Sequence, residues 1–251
     1  MSKMIDLRSD TVTLPSDEMR NAIASAKLGD DVFGEDPAIN ELESKAAKIM
    51  GKEQGLLVPS GTMGNLVSIL VHCQRGTEII LGDKSHTFMY EAGGISAFGG
   101  IHSRQLKNQA DGTINIEDIH SAIRTDNVHF PKTAAITLEN THNLCNGAPL
   151  LPEYIHEVAQ IAHNNNMKLH IDGARIFNAS VAQDIDVDKL VIDADSVTFC
   201  LSKGLSAPVG SIVCGSEKFV YKARRIRKAL GGGMRQAGII AAAGNFSLDN
   251  M

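Results

Sequence analysis

A three-layer α/β/α domain built on a mostly parallel sheet is the fold class this sequence predicts, and three observations predict it. Apolar segments at helical period alternate with short β-branched runs along the chain. The stretches rich in Gly, Ser and Asp fall just after those runs, where strands would hand over to helices. No internal repeat, low-complexity tract or linker divides the 251 residues, of which 43% are hydrophobic, so one domain is expected over 1–251.

The elements follow in order. Ser16 caps a helix that carries Asp17 and Glu18 in its first turn, with Gly29 at its end. Asp36-Pro37 is a cap followed by proline at the first helical position. Leu42, Ala46 and Ile49 form that helix's apolar stripe and Gly51 stops it. Leu56-Leu57-Val58 is a short strand, after which Ser60-Gly61-Thr62 opens a helix through Leu66 and Leu70. Further strands are expected at 78–81, 134–138, 169–171, 197–201 and 211–214, and helices at 116–124, 153–163 and 218–230. From Gln236 a helical pattern places Ile239, Ile240, Ala243, Phe246 and Leu248 on one apolar face.

Composition narrows the function classes. The net charge of −5 offers no electrostatic attraction to nucleic acid or anionic membrane. The one basic run, 218–228 with Arg224, Arg225 and Arg227, is expected to be a solvated or subunit-facing helix. Cys73, Cys145, Cys200 and Cys214 form no C-x-x-C pair and no short cluster with histidine, so no metal site is expected. Cys200 and Cys214 sit in apolar runs and read as buried small hydrophobes. The N-terminus lacks a signal-peptide pattern, and no window reaches the roughly 18 apolar residues of a membrane span. A cytoplasmic protein is expected.

Three motifs carry chemistry. Ser60-Gly61-Thr62, at a strand-to-helix junction, offers backbone N–H groups, a helix dipole and two hydroxyls to an anion such as phosphate; alone it is equally an ordinary helix cap. Asp172, after Leu169-His170-Ile171, places a carboxylate at the C-terminal end of a parallel strand. It would suit a protonated pyridine nitrogen, or a helix cap. Lys203 follows the apolar run Val197-Thr198-Phe199-Cys200-Leu201, where desolvation would favour the free amine that a Schiff base needs; the alternative is a lysine that snorkels to the surface.

Phosphate cradle, ring-nitrogen acid and Schiff-base lysine come in the chain order of fold-type-I enzymes that use pyridoxal phosphate. Leu7-Arg8-Ser9-Asp10-Thr11-Val12-Thr13-Leu14-Pro15, Val58-Pro59-Ser60-Gly61-Thr62-Met63-Gly64-Asn65 and Leu138-Glu139-Asn140-Thr141-His142-Asn143 then make the chain resemble the threonine aldolase family. The stretches 170–177, 200–211 and 231–238 extend the resemblance, which runs from residue 4 to the last. It implies the large domain of that fold, Lys203 carrying pyridoxal phosphate, Asp172 at its ring nitrogen, His86 stacked on the ring, and Gly61 and Thr62 on the phosphate. It also implies Ser9 and Arg175 on the substrate carboxylate, with Arg175 in the cofactor pocket as well, and His129 near the β-hydroxyl group. Arg235 would reach a phosphate across a subunit boundary in a homo-oligomer, dimer or tetramer.

The implied reaction is retro-aldol cleavage of L-threonine or L-allo-threonine to glycine and acetaldehyde, with His129, His86 or a water as base. The alternatives are a non-catalytic cofactor-binding fragment, or racemisation or β-elimination on the same scaffold. Two departures stand out. Ser206 occupies a position where the family has glycine. The last helical pattern also reaches Met251 without a glycine or proline stop, where the resemblance implies a further small domain, so a truncated large domain is expected.

Overall fold

The computed structural model describes residues 5–251; Met1–Met4, the first residues of the segment that lacks a signal-peptide pattern, lie outside the described residues. The strands are β1 (Gln54–Val58), β2 (Glu78–Gly82), β3 (His102–Leu106), β4 (Thr133–Glu139), β5 (Lys168–Asp172), β6 (Ser196–Cys200) and β7 (Ser211–Gly215). The helices are α1 (Asp17–Ala24), α2 (Pro37–Ile49), α3 (Gly61–His72), α4 (His86–Met89), α5 (Gly94–Ala97), α6 (Ile116–Ala122), α7 (Pro152–Asn164), α8 (Ile176–Gln183), α9 (Val187–Val191), α10 (Glu217–Ala229) and α11 (Gly238–Asn250).

Among the described residues the strands form one sheet in the order β1-β7-β6-β5-β4-β2-β3. The five strands from β6 to β3 pair in parallel, while β7 runs antiparallel to both β6 and β1. Helices cover both faces, as the alternation of patterns predicts. The α2, α3 and α10 starts are set by Asp36, Ser60 and Ser216, whose side chains accept backbone N–H groups of the first turn, each cap stabilising by about 1 kcal/mol.

Period-two alternation assigns the strand side chains to faces. Leu169 and Ile171 of β5 join Val197 and Phe199 of β6 in the large core under α2, α7 and α8. The intervening His170, Asp172 and Ser196 face α3 instead, where they meet Asn65 and His72. Helix α3 approaches closely because Gly64 has no side chain: a Cβ there would lie 2.5 Å from Thr198 Cγ2. All four cysteines are buried and free, as expected of Cys200 and Cys214.

Four expectations change. Helix α1 ends at Ala24 with Ser25 as its cap, well before Gly29. The final helix buries Ala243 of the expected stripe and half-buries Ile240, Phe246 and Leu248 against the core, but Ile239 is exposed, and Gly238, Ala241, Gly244, Asn245 and Ser247 are buried as well. Small residues let its backbone approach α2, since a Cβ on Gly244 would stand 2.9 Å from Leu42 Cδ2. The basic helix α10 is not simply solvated. Arg227 is buried and donates to Asp31 Oδ2 (2.6 Å) and Leu57 O (2.7 Å), and Arg224 donates to Glu43 Oε2 (2.6 Å). Buried guanidinium is tolerated there because acids and an unpaired strand carbonyl meet its fork. Finally, β3 and the short helices α4, α5, α8 and α9 were not expected.

Candidate active site

The chemistry-bearing residues gather at the C-terminal ends of β4, β5 and β6 and at the start of α3, the crevice in which open α/β sheets bind ligands. Asp172 closes β5. Its Oδ2 accepts from Asn65 Nδ2 (2.8 Å) and its Oδ1 from the Ala174 N–H (3.2 Å). Glu139 closes β4 in register with Asp172, and accepts the backbone N–H groups of His86 (2.7 Å) and Asn143 (2.9 Å). Asn65 donates its second amide proton to Glu91 Oε1 (2.8 Å), which also meets His86 Nδ1 at 3.0 Å. Ligating atoms of His86, Glu91 and Asp172 all lie within 4.8 Å of one another.

Acid crowds this corner. Burial first, and then the Asp172 carboxylate, push the Glu139 carboxyl up to about 7. Burial also raises Glu91, and the hydrogen bond to Glu91 raises His86. Such a corner attracts a cationic atom or a shared proton. His86 opens α4, its ring partly exposed and 5.5 Å from that of Tyr90.

Lys203 lies in the loop after β6 and is half-buried, so the full desolvation expected of it is not found. Thr13 Oγ1 and the Ser206 N–H both donate to its carbonyl, at 2.8 and 2.9 Å. Its charge acts on Asp10, His86 and Cys200, which places the amine on the same crevice. Ser206 holds φ +57°, a left-handed conformation that favours glycine. Arg175 begins the turn after β5, and its fork donates to both Asp10 oxygens at 2.7 Å. Ser9 caps the short turn Asp10–Val12, accepts the Thr11 N–H (3.2 Å) and is exposed.

At the start of α3, the Ser60 hydroxyl accepts the Met63 N–H and the Thr62 side chain is exposed. Gly61 lies against the end of β6, where a Cβ would come within 2.9 Å of Cys200 Sγ. These features fit pyridoxal phosphate on three counts. A bare backbone at a helix start suits a phosphate. A buried carboxylate suits a protonated ring nitrogen, and a primary amine on the same crevice suits covalent attachment.

Two expected residues are not brought here within one chain. His129 is exposed in the loop that enters β4 from its N-terminal end, opposite Asp172, with its N–H on Asn127 Oδ1 (2.9 Å). The loop is held there because Lys132 O accepts the N–H of Glu78, the first residue of β2, and Arg124 packs on Phe130. Arg235 is exposed and paired with Asp30 at 3.0 Å. Conversely, Asn65, Glu91, Glu139 and Asp10 belong to the site and were not singled out. Asn65 carried a signal: with Ser68 and His72 it forms a polar line at i, i+3 and i+7 on an otherwise apolar helix.

The profile of the family described as beta-eliminating lyase matches residues 6–251. The chain is 54% identical over 249 residues to low-specificity L-threonine aldolase 1 of Arabidopsis thaliana, covering 98% of this chain and 70% of that protein. It is 47% identical over 247 residues to the low specificity L-threonine aldolase of Escherichia coli, covering 98% of this chain and 73% of that one. The solved structure of Leishmania major threonine aldolase shares the fold, with a TM-score of 0.81 at 16% identity over 96% of this chain and 71% of that one. The motifs, the fold and these relatives agree: the chain belongs to the beta-eliminating lyase family, which depends on pyridoxal phosphate, and within it to the low-specificity L-threonine aldolases.

Proposed function

We propose that this chain cleaves L-threonine and L-allo-threonine to glycine and acetaldehyde. The observation that carries the reading is the meeting of a buried carboxylate (Asp172), an imidazole (His86), an amine (Lys203) and an arginine fork (Arg175) on one crevice. Lys203 would attach the cofactor, Asp172 would face its ring nitrogen and His86 its ring. Gly61 and Thr62 would hold its phosphate. When bound, pyridoxal phosphate supplies the electron sink for breaking the Cα–Cβ bond.

The chain's own residues do the rest. Ser9 and Arg175 receive the substrate carboxylate, for which the Arg175 fork must be shared with, or released by, Asp10. Glu91 accepts Nδ1–H of neutral His86, which leaves Nε2 as the acceptor and stabilises the imidazolium once it forms. A third group orients a catalytic base in the same way elsewhere. His86 is therefore assigned the β-hydroxyl proton, and His129 competes for it only across a subunit boundary. Arg235 reaches a phosphate only in the homo-oligomer, dimer or tetramer, that we expect. The cytoplasmic setting we expect fits four free thiols. Among the described residues no helix is long and apolar enough to cross a membrane.

The test mixes purified chain, pyridoxal phosphate and L-threonine, and follows acetaldehyde with an NADH-coupled alcohol dehydrogenase. Equal yields of glycine and acetaldehyde are expected. Racemised alanine, or ammonia from β-substituted substrates, with threonine untouched would overturn the reading.

A further inference from the structure

Behind Asp172 a line of buried polar side chains crosses the interface between α3 and the sheet. Starting at the far end, His72 Nε2 lies 2.7 Å from Ser196 Oγ, and Ser196 Oγ lies 2.8 Å from His170 Nδ1. His170 Nε2 then lies 3.2 Å from Asn65 Oδ1, and Asn65 Nδ2 donates to Asp172 Oδ2 and Glu91 Oε1, both at 2.8 Å. Asn65, His170 and Ser196 are buried. The fold builds this line by two periodicities. Asn65 and His72 are seven residues apart on one face of α3, and His170 and Asp172 are two apart on one face of β5.

The hydrogen bonds in this line can run only one way. Asn65 faces two carboxylates, which accept, so its NH2 must point at them and its carbonyl must point at His170. His170 must therefore carry its proton on Nε2. Burial pushes His170 down to about 3 and His72 down to about 4, so both rings are neutral near pH 7. Neutral His170 then accepts at Nδ1, Ser196 donates to it, and the Ser196 oxygen accepts Nε2–H of His72. Reversing any one bond would set two acceptors or two donors against each other in a dry interior.

We propose that Asn65 and His170 are positioning residues for the reaction: the one-way line from His72 through Ser196, His170 and Asn65 holds the Asp172 carboxylate in place and presents it as an acceptor. Asn65 also aims Glu91 at His86, so one amide sets both the ring-nitrogen acid and the partner of the base. The inference rests on the reading of Asp172 as the cofactor's ring partner. His72, stacked on Phe219 at 4.9 Å, ends the line at the C-terminal end of α3, far from Asp172, so the outer members matter less than the inner ones.

The first measurement needs no cofactor. Nitrogen chemical shifts of the histidine rings in the apo-protein should show both His170 and His72 neutral, with the proton on Nε2, at pH 7. His170 with its proton on Nδ1, or charged, would overturn the proposal. The second compares variants in the holoenzyme. His170→Phe removes the donor to Asn65, and kcat should fall about tenfold with KM nearly unchanged. His170→Gln keeps a donor near Nε2 and should recover most of that loss, which a merely space-filling role would not require. Equal kcat for His170→Phe and the parent would overturn the proposal, as would equal loss in both variants with both still folded. An Asp172→Asn variant with unchanged cofactor affinity and turnover would instead sink the reading of Asp172, while the apo-protein ring states would still stand on their own.

Discussion

Two buried glutamates on neighbouring strands of one sheet live under opposite electrostatic regimes. Glu78 opens β2 and Glu139 closes β4, and both are almost fully shielded from water. Around Glu78 the chain places the His102 ring (3.5 Å) and two guanidinium groups, Arg104 (3.7 Å) and Arg124 (3.4 Å), whose charge outweighs that of the one buried acid. Around Glu139 it places the carboxylate of Asp172 beside it in register, and Glu139 itself takes its hydrogen bonds from the backbone N–H groups of His86 and Asn143. Burying an acid costs several kcal/mol unless it is paired. The chain meets that cost with its own cations at the N-terminal end of the strands and leaves the acid in surplus at the C-terminal end. An uncompensated cluster is what a site looks like before a cationic ring nitrogen completes it.

The contrast breaks most visibly at Asp172. Asp172→Asn should lower kcat by about a hundredfold or more with the fold retained, on the scale of other lost electrostatic groups. It should also move Glu139. With the neighbouring charge gone, the Glu139 midpoint should drop from about 7 in carboxyl carbon NMR of the apo-protein, while burial, the larger cause, keeps it above the ordinary 4.5. The folded chain holds a proton on Glu139 that the unfolded chain releases, so this group's contribution is present at low pH and is lost as pH rises from 4.5 through about 7. That slope should shrink in Asp172→Asn.

The opposite end should answer with stability and not with rate. Glu78→Leu leaves Arg104 and Arg124 facing an apolar strand end and should cost about 3 kcal/mol in denaturant unfolding, with turnover of the folded protein nearly unchanged. A variant as stable as the parent would mean that the cations there are idle. Smaller still, Ser206→Gly relieves a left-handed serine at φ +57° and should add about 1 kcal/mol of stability by calorimetry. An unchanged melting temperature would show that Ser206 pays nothing for its conformation.

The same contrast explains what could be read from the sequence. Asp172, Lys203 and Gly61 were legible because each sits where an apolar run turns into a polar junction, a local event. The core strands β4 to β7 were legible as short runs rich in apolar and β-branched residues, nearly every position of which is buried. Strand β3 was not, because an edge strand reading His102-Ser103-Arg104-Gln105-Leu106 has little to bury. Helices α4 and α5, at four residues each, are shorter than a readable period. The partners of the site residues were hidden for another reason. Asn65 meets Asp172 across 107 residues and Asp10 meets Arg175 across 165, and no local pattern encodes such a meeting. His129 shows the converse: the family resemblance implies it in the site, while its loop enters the sheet from the far end.

The central claim is that the C-terminal end of the sheet binds pyridoxal phosphate through Lys203. Purified chain loaded with pyridoxal phosphate, reduced with borohydride and mapped by peptide mass spectrometry tests it most directly. The cofactor adduct should be found on the peptide containing Lys203 and should vanish in Lys203→Ala, together with the visible absorbance of the loaded protein. An adduct carried by another lysine, or one that survives in Lys203→Ala, would contradict it.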